Sequence, residues 1–407
     1  MSNPKSIPPG YWKELVGDFP RLAGRYDDCQ LIGLANRYYN CIAWALGIED
    51  RWVNPPTTEQ QFVELLSRPY FNLESCSEEL ASVDGYARNG ECTHASRKLV
   101  SNEWSSKLGE ELKITHPRDG LIGDTYGNIV VHFKTKTGKP APTTVGSSGG
   151  PPAPLSDSEF QDIQKVADLL ASEFPNLVMN FNGRYYEWTE QCQSTPRASH
   201  VCSSSAFASG PQWDALVQMD TKILPLVVAK LRSDDACVFG CELYNQVQTN
   251  DETKVTPDQI EHFWVLNWQA KLIIKLYHSQ LKEFDQHVAR WENDMTASKF
   301  SSNSDSKVSG PGYESLKTMG QPTVPLIMAR YSQNQDDWWY ELLSEIVNGC
   351  RSGLRITRKR NLYQVWMKWF QDPDLGGPKI ETYGDGPSVA IMQNILTGDE
   401  VTISLAT

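Results

Sequence analysis

Several chemistries are excluded by what this sequence does not contain. No Gly-rich phosphate loop, dinucleotide fingerprint or His-x-x-x-His pair occurs anywhere in it. No cofactor and no metal ligand set is therefore expected. The 9 cysteines are odd in number, scattered and without a Cys-x-x-Cys pair, so neither a disulfide framework nor a structural zinc site is signalled. Positive charge is in deficit: 38 Lys and Arg stand against 50 Asp and Glu, a formal net charge of -12. That balance argues against nucleic acid or an anionic membrane as the main partner. The one basic run, Arg351 to Arg360, reads as a solvated helix start or loop. No stretch reaches the ~18 apolar residues of a membrane span. Met1 to Gly10 is polar and proline-bearing, with no apolar segment of a signal peptide. A soluble protein of the reducing cytoplasm is the expectation.

What is present is enough to build sizeable cores. Hydrophobic residues make up 40% and charged residues 22% of 407, with 13 tryptophans as large anchors, and the length suggests two or three domains.

The stretch with most chemical content is Tyr38-Tyr39-Asn40-Cys41-Ile42-Ala43-Trp44-Ala45-Leu46-Gly47. Asn40 is a good N-cap, Ile42 to Leu46 can follow as a short apolar helix, and Gly47 is a natural stop. Cys41 then sits in the first turn, where unsatisfied N–H groups and the macrodipole favour a thiolate and lower a thiol pKa from about 8.5. A base is available downstream at His94, inside the extended segment from Cys92 to Leu99. Two readings of Cys41 stand side by side: a buried apolar residue beside Ile42 and Trp44, or a nucleophile.

Asn40-Cys41-Ile42-Ala43-Trp44-Ala45, Thr93-His94-Ala95-Ser96-Arg97, Trp104-Ser105-Ser106-Lys107-Leu108-Gly109, Ile114-Thr115-His116 and Tyr126-Gly127 together resemble an uncharacterised domain family, over roughly the first third of the chain. Cysteine on a helix N-terminus followed by histidine on a strand is also the order of papain-like and NlpC-type thiol hydrolases. That analogy implies a thiol hydrolase or acyltransferase acting on an amide or ester of a protein or peptide, with Cys41 as nucleophile and His94 as general base. A third group orients the imidazole in such dyads. His116 is chosen over Ser106, because an imidazole is the better partner for a charged histidine. The opposite reading is an inactive papain-like domain retained as a binding or scaffold module.

In chain order, Tyr11 to Phe19 reads as an amphipathic helix ended by Pro20, and Thr57 to Leu66 as a helix capped by Thr57 or Thr58. Extended pieces follow at Ser82 to Arg88, Thr93 to Leu99, Glu103 to Leu108 and Gly127 to Phe133, the last buried on both faces or nearly so. Residues 20–134 thus form an α+β domain. A Pro/Gly/Ser-rich linker occupies 135–155. Residues 156–372 read as all-helical, opened by a capping box at Ser156 and Glu159. Within them 213–247 and 313–347 run in register at an offset of 100 residues, matching at Leu216/Leu316, Met219/Met319, Pro225/Pro325, Leu226/Leu326, Ala229/Ala329, Leu243/Leu343 and Val247/Val347. The pattern resembles HEAT-like helical repeats, which present a surface to a protein partner. A long helix from Thr256 to Trp291 separates the copies, Arg358 to Phe370 forms a final helix, and the tail 373–407 gives no clear signal.

Overall fold

A computed structural model of the chain describes residues 6–35, 39–68, 71–136, 155–194, 204–232, 239–255, 266–297, 304–352, 359–381, 388–394 and 397–405. Tyr38, nearly all of the 135–155 linker, the expected start of the long helix at Thr256, Pro257, Gln259, Ile260 and Phe263, and Arg355 and Arg358 of the basic run lie outside them. The chain divides into two compact units. One comprises 1–152 with 190–208 and 256–269, and the other comprises 153–189, 209–255 and 270–407.

The first unit opens with helix α1 (Pro9–Asp18), followed by strand β1 (Gln30–Gly33), helix α2 (Cys41–Ala45) and helix α3 (Glu59–Leu66). Strands β2 (Leu73–Ser75), β3 (Val83–Arg88), β4 (Glu91–Lys98), β5 (Trp104–Lys107), β6 (Lys113–His116) and β7 (Asn128–Thr135) complete it. All seven strands form one antiparallel sheet in the order β1-β6-β5-β4-β3-β7-β2. The four expected extended pieces are β3, β4, β5 and β7. The short strands β1, β2 and β6 carry too few residues to show alternation and emerge only through pairing. β7 is less buried than expected: Val131 and Phe133 are in the core, while Ile129, Val130 and His132 are half-buried.

Local rules place the helices that matter. Asn40 Oδ1 accepts the N–H of Ala43 at 3.1 Å and starts α2. Gly47, at φ +77°, ends it, with Ile48 N donating to Ala43 O at 2.8 Å, a left-handed cap that glycine adopts without a side-chain penalty. Thr58, rather than Thr57, caps α3 by accepting from Gln61 N.

Side chains in a strand alternate between faces. The pairs Tyr86↔His94, Asp84↔Ser96 and Trp104↔His116 therefore put Asp84, Tyr86, His94, Ser96, Trp104, Ser106 and His116 on one face of the sheet. The pairs Gly85↔Ala95, Gly85↔Val131 and Arg97↔Ser105 put the intervening residues on the other. α3 covers that second face, Phe62 lying where a Cβ on Gly85 would stand, 2.5 Å from it. The first face is covered by the end of α1, where the Phe19 ring lies 4.9 Å from that of Tyr126.

The second unit is mostly helical. It contains α4 (Asp157–Glu173), most of α5 (Pro175–Ser194), α6 (Pro211–Val217), α7 (Leu224–Lys230), α8 (Gly240–Val247), most of α9 (Leu266–Ala297), α10 (Pro311–Met319), α11 (Val324–Gln333), α12 (Trp339–Asn348) and α13 (Lys359–Gln371). Both halves of the capping box at Ser156 and Glu159 are made. Pro175 follows the end of α4 but also opens α5, because proline fits a first helical turn. The offset of 100 residues is structural: α6, α7 and α8 recur as α10, α11 and α12. The likeness begins earlier than the sequence match, since Gly210 and Gly310 stand at φ +96° and +101° ahead of Pro211 and Pro311. The tail holds strands β8 (Lys379–Glu381), β9 (Ser388–Gln393) and β10 (Glu400–Leu405), a small antiparallel sheet in the order β10-β9-β8. Among the described residues no helix is long and apolar enough to cross a membrane.

Candidate functional site

Cys41 opens α2, and its side chain is fully buried. α2 packs on β4 and β5. The Trp44 indole identifies which face of them it covers: its Nε1 donates to Ser105 Oγ at 3.2 Å, and Arg97 Cζ lies 3.4 Å from the ring centre. Lys113 Nζ approaches the same ring to 3.9 Å and pairs with Glu49 at 3.1 Å. Cys41 lies one turn before Trp44, at a spacing that shares a helix side. Burial lowers the Arg97 pKa, and the indole face offsets part of its lost hydration.

His94 is also fully buried, but it points the other way. Its imidazole stacks on Tyr126 with ring centres 3.8 Å apart and meets the edge of Tyr86 at 5.2 Å. The structure therefore brings His94, Ser106 and His116 together, on the face of the sheet opposite the one that Trp44 covers. Ser106, not His116, is the residue that touches His94: Ser106 Oγ lies 2.9 Å from His94 Nε2 and 2.8 Å from His116 Nε2.

The proton positions in this row follow from its end. His116 Nδ1 is 2.8 Å from Pro117 O, and a carbonyl only accepts, so Nδ1 carries hydrogen. Burial pushes the His116 pKa down to about 4, so the ring is neutral near pH 7 and its Nε2 is an acceptor. Ser106 accordingly donates to His116 and accepts from His94, whose Nε2 carries hydrogen. The row has one direction, His94 to Ser106 to His116 to Pro117 O.

A second polar group on the same face was not visible as a site in the sequence. Asp84, with no exposed side-chain surface, accepts from Arg118 Nε at 2.6 Å and Nη2 at 2.9 Å, and from His132 Nδ1 at 2.8 Å. Arg118 and His132 cannot both donate to one another, so their 3.3 Å approach is packing around a shared carboxylate. Asp84 in turn holds the Arg118 pKa above its usual value. The signal was a lone carboxylate among Val83, Gly85, Tyr86 and Ala87, since carboxylates are almost never fully buried unless paired. Its partners lie 34 and 48 residues away.

Among the described residues no group of His, Cys, Asp and Glu is arranged to hold a metal ion. A comparison of the chain with curated proteins and another with solved structures each find no match. Residues 30–134, which carry α2, α3 and nearly all of the seven-stranded sheet, match the family described as a domain of unknown function, DUF7689.

Proposed function

We propose that this protein works as an interaction protein, its sheet domain a binding or scaffold module and its helical region a HEAT-like repeat that binds a protein or peptide. The observation that carries the reading is the placement of Trp44 and His94 on opposite faces of β4 and β5, with both Cys41 and His94 fully buried. A thiolate and its general base must meet within hydrogen-bond reach of one substrate carbonyl. In the interaction reading, the His94, Ser106, His116 row is a satisfied buried network that fixes strand register.

A second reading, favoured by one observation, is the papain-like thiol hydrolase or acyltransferase. Asn40 caps α2 so that Cys41 occupies the first turn, the place where backbone N–H groups stabilise a thiolate. In that reading Cys41 is the nucleophile, His94 the base, and His116 acts on it through Ser106.

Alkylation separates the two. With iodoacetamide at pH 6, followed by peptide mass spectrometry of the folded protein, Cys41 is expected to react no faster than the other eight cysteines. Rapid labelling of Cys41 that disappears in His94→Ala would establish the hydrolase reading instead.

A further inference from the structure

A cavity of about 1010 Å³ in the helical unit lies where the two repeats meet. Its walls come from the segment following α8, from the middle of α9 and from α10 with the turn after it. The residues that give it chemical character are Asp251, Glu252, Gln280, Glu283, His287 and Glu314. Four of these are carboxylates. Asp251 is paired with Lys254 at 2.8 Å and Glu314 with Lys317 at 2.5 Å. Glu283 meets only the His287 ring, at 3.5 Å, among the described residues.

An acidic rim alone would be a solvated surface. Gln280 is what makes it more: the residue is 5% exposed, lines the cavity, and its Oε1 is buried without a hydrogen-bond partner among the described residues. A buried amide oxygen left unpaired is costly and calls for a donor. Carboxylates and an amide oxygen are acceptors, so the occupant that satisfies both wall and floor is rich in N–H groups and positively charged. The volume is at the upper end of small-ligand pockets and admits several consecutive residues of a chain. Its position at a repeat junction is where helical-repeat proteins hold extended partners.

We infer that this cavity binds a basic peptide segment, with a Lys or Arg side chain donating to Gln280 Oε1 and flanking cations meeting Glu252 and Glu283. The inference rests on the interaction reading and names the site and chemistry of the helical region's partner.

The test uses the full-length protein and a fluorescein-labelled peptide of alternating Lys and Ser, followed by fluorescence anisotropy, with a Glu/Ser peptide of equal length alongside. The Lys/Ser peptide is expected to bind, and the Glu/Ser peptide not to. Both Glu252 and Glu283 are exposed, so Glu252→Gln/Glu283→Gln leaves the fold intact and is expected to weaken the Lys/Ser peptide about fivefold to tenfold. Gln280→Leu, checked for folding by circular dichroism, is expected to weaken it as well while keeping the salt dependence of the parent. Equal binding of the two peptides, or no effect of the double Glu variant, would overturn the assignment, as would competition by spermidine at the peptide's own affinity. Cys41 alkylation reads only the sheet domain, so a failed peptide test and a failed interaction reading give different results.

Discussion

Ser105 and Ser106 are neighbours in one strand and serve opposite sides of the sheet: Ser105 accepts the Trp44 indole N–H at 3.2 Å, and Ser106 bridges His94 and His116 at 2.9 and 2.8 Å. All five side chains are in the core. Two hydroxyls one residue apart thus tie the strand to two different layers.

Removing them should cost different amounts. Ser106→Ala strands a ring nitrogen on each of two buried imidazoles and is expected to destabilise the protein by about 2–4 kcal/mol, whereas Ser105→Ala strands one indole N–H and costs about 1–2 kcal/mol. Urea unfolding of both variants checks the order. Equal losses would mean that the row of His94, Ser106 and His116 contributes nothing beyond an ordinary buried hydroxyl.

The neutral state of His116 makes stability depend on pH in a defined window. Its folded pKa, about 4, lies below the ordinary 6.5, so between these values the unfolded chain binds the proton more readily. The contribution is complete above pH 6.5, declines as pH falls, and is exhausted near pH 4. Its size is ~3 kcal/mol, from 1.36 kcal/mol per pKa unit. Thermal unfolding of the parent and His116→Gln across this range is expected to show a shallower slope in the variant.

Gly127 is the other residue whose need is geometric. It stands at φ +78°, and a Cβ there would run into the carbonyl oxygen of Ala87. Gly127→Ala is expected to cost more than about 3 kcal/mol, combining left-handed strain of about 1–2 kcal/mol with displacement of β3. Gly24, at φ +76° with nothing near its Cβ position, is the control. Gly24→Ala should show the strain alone, and melting temperatures of the two variants measure the difference.

Much of this architecture is legible along the chain, because it depends on neighbours. The caps at Asn40, Thr58 and Ser156, the glycine stop at Gly47, the strands in 83–98 and the recurrence of α6 to α8 as α10 to α12 follow from turns, periods and spacings of a few residues. The short strands β1, β2 and β6 and the small sheet of the tail do not, since pairing with distant segments makes them strands. The same limit governs the site. Alternation says that Ser105 and Ser106 face opposite ways, and it cannot say which way. That choice was made by tertiary packing: Ala95 and Ser105 are small enough to let α2 lie close with Trp44 against Arg97, while Tyr126 and Phe19 close over His94 from the other side. The order of Cys41 before His94 is a property of the sequence. The separation of Trp44 from His94 by the sheet is a property of the fold, because a strand between two layers shows each layer only every second side chain.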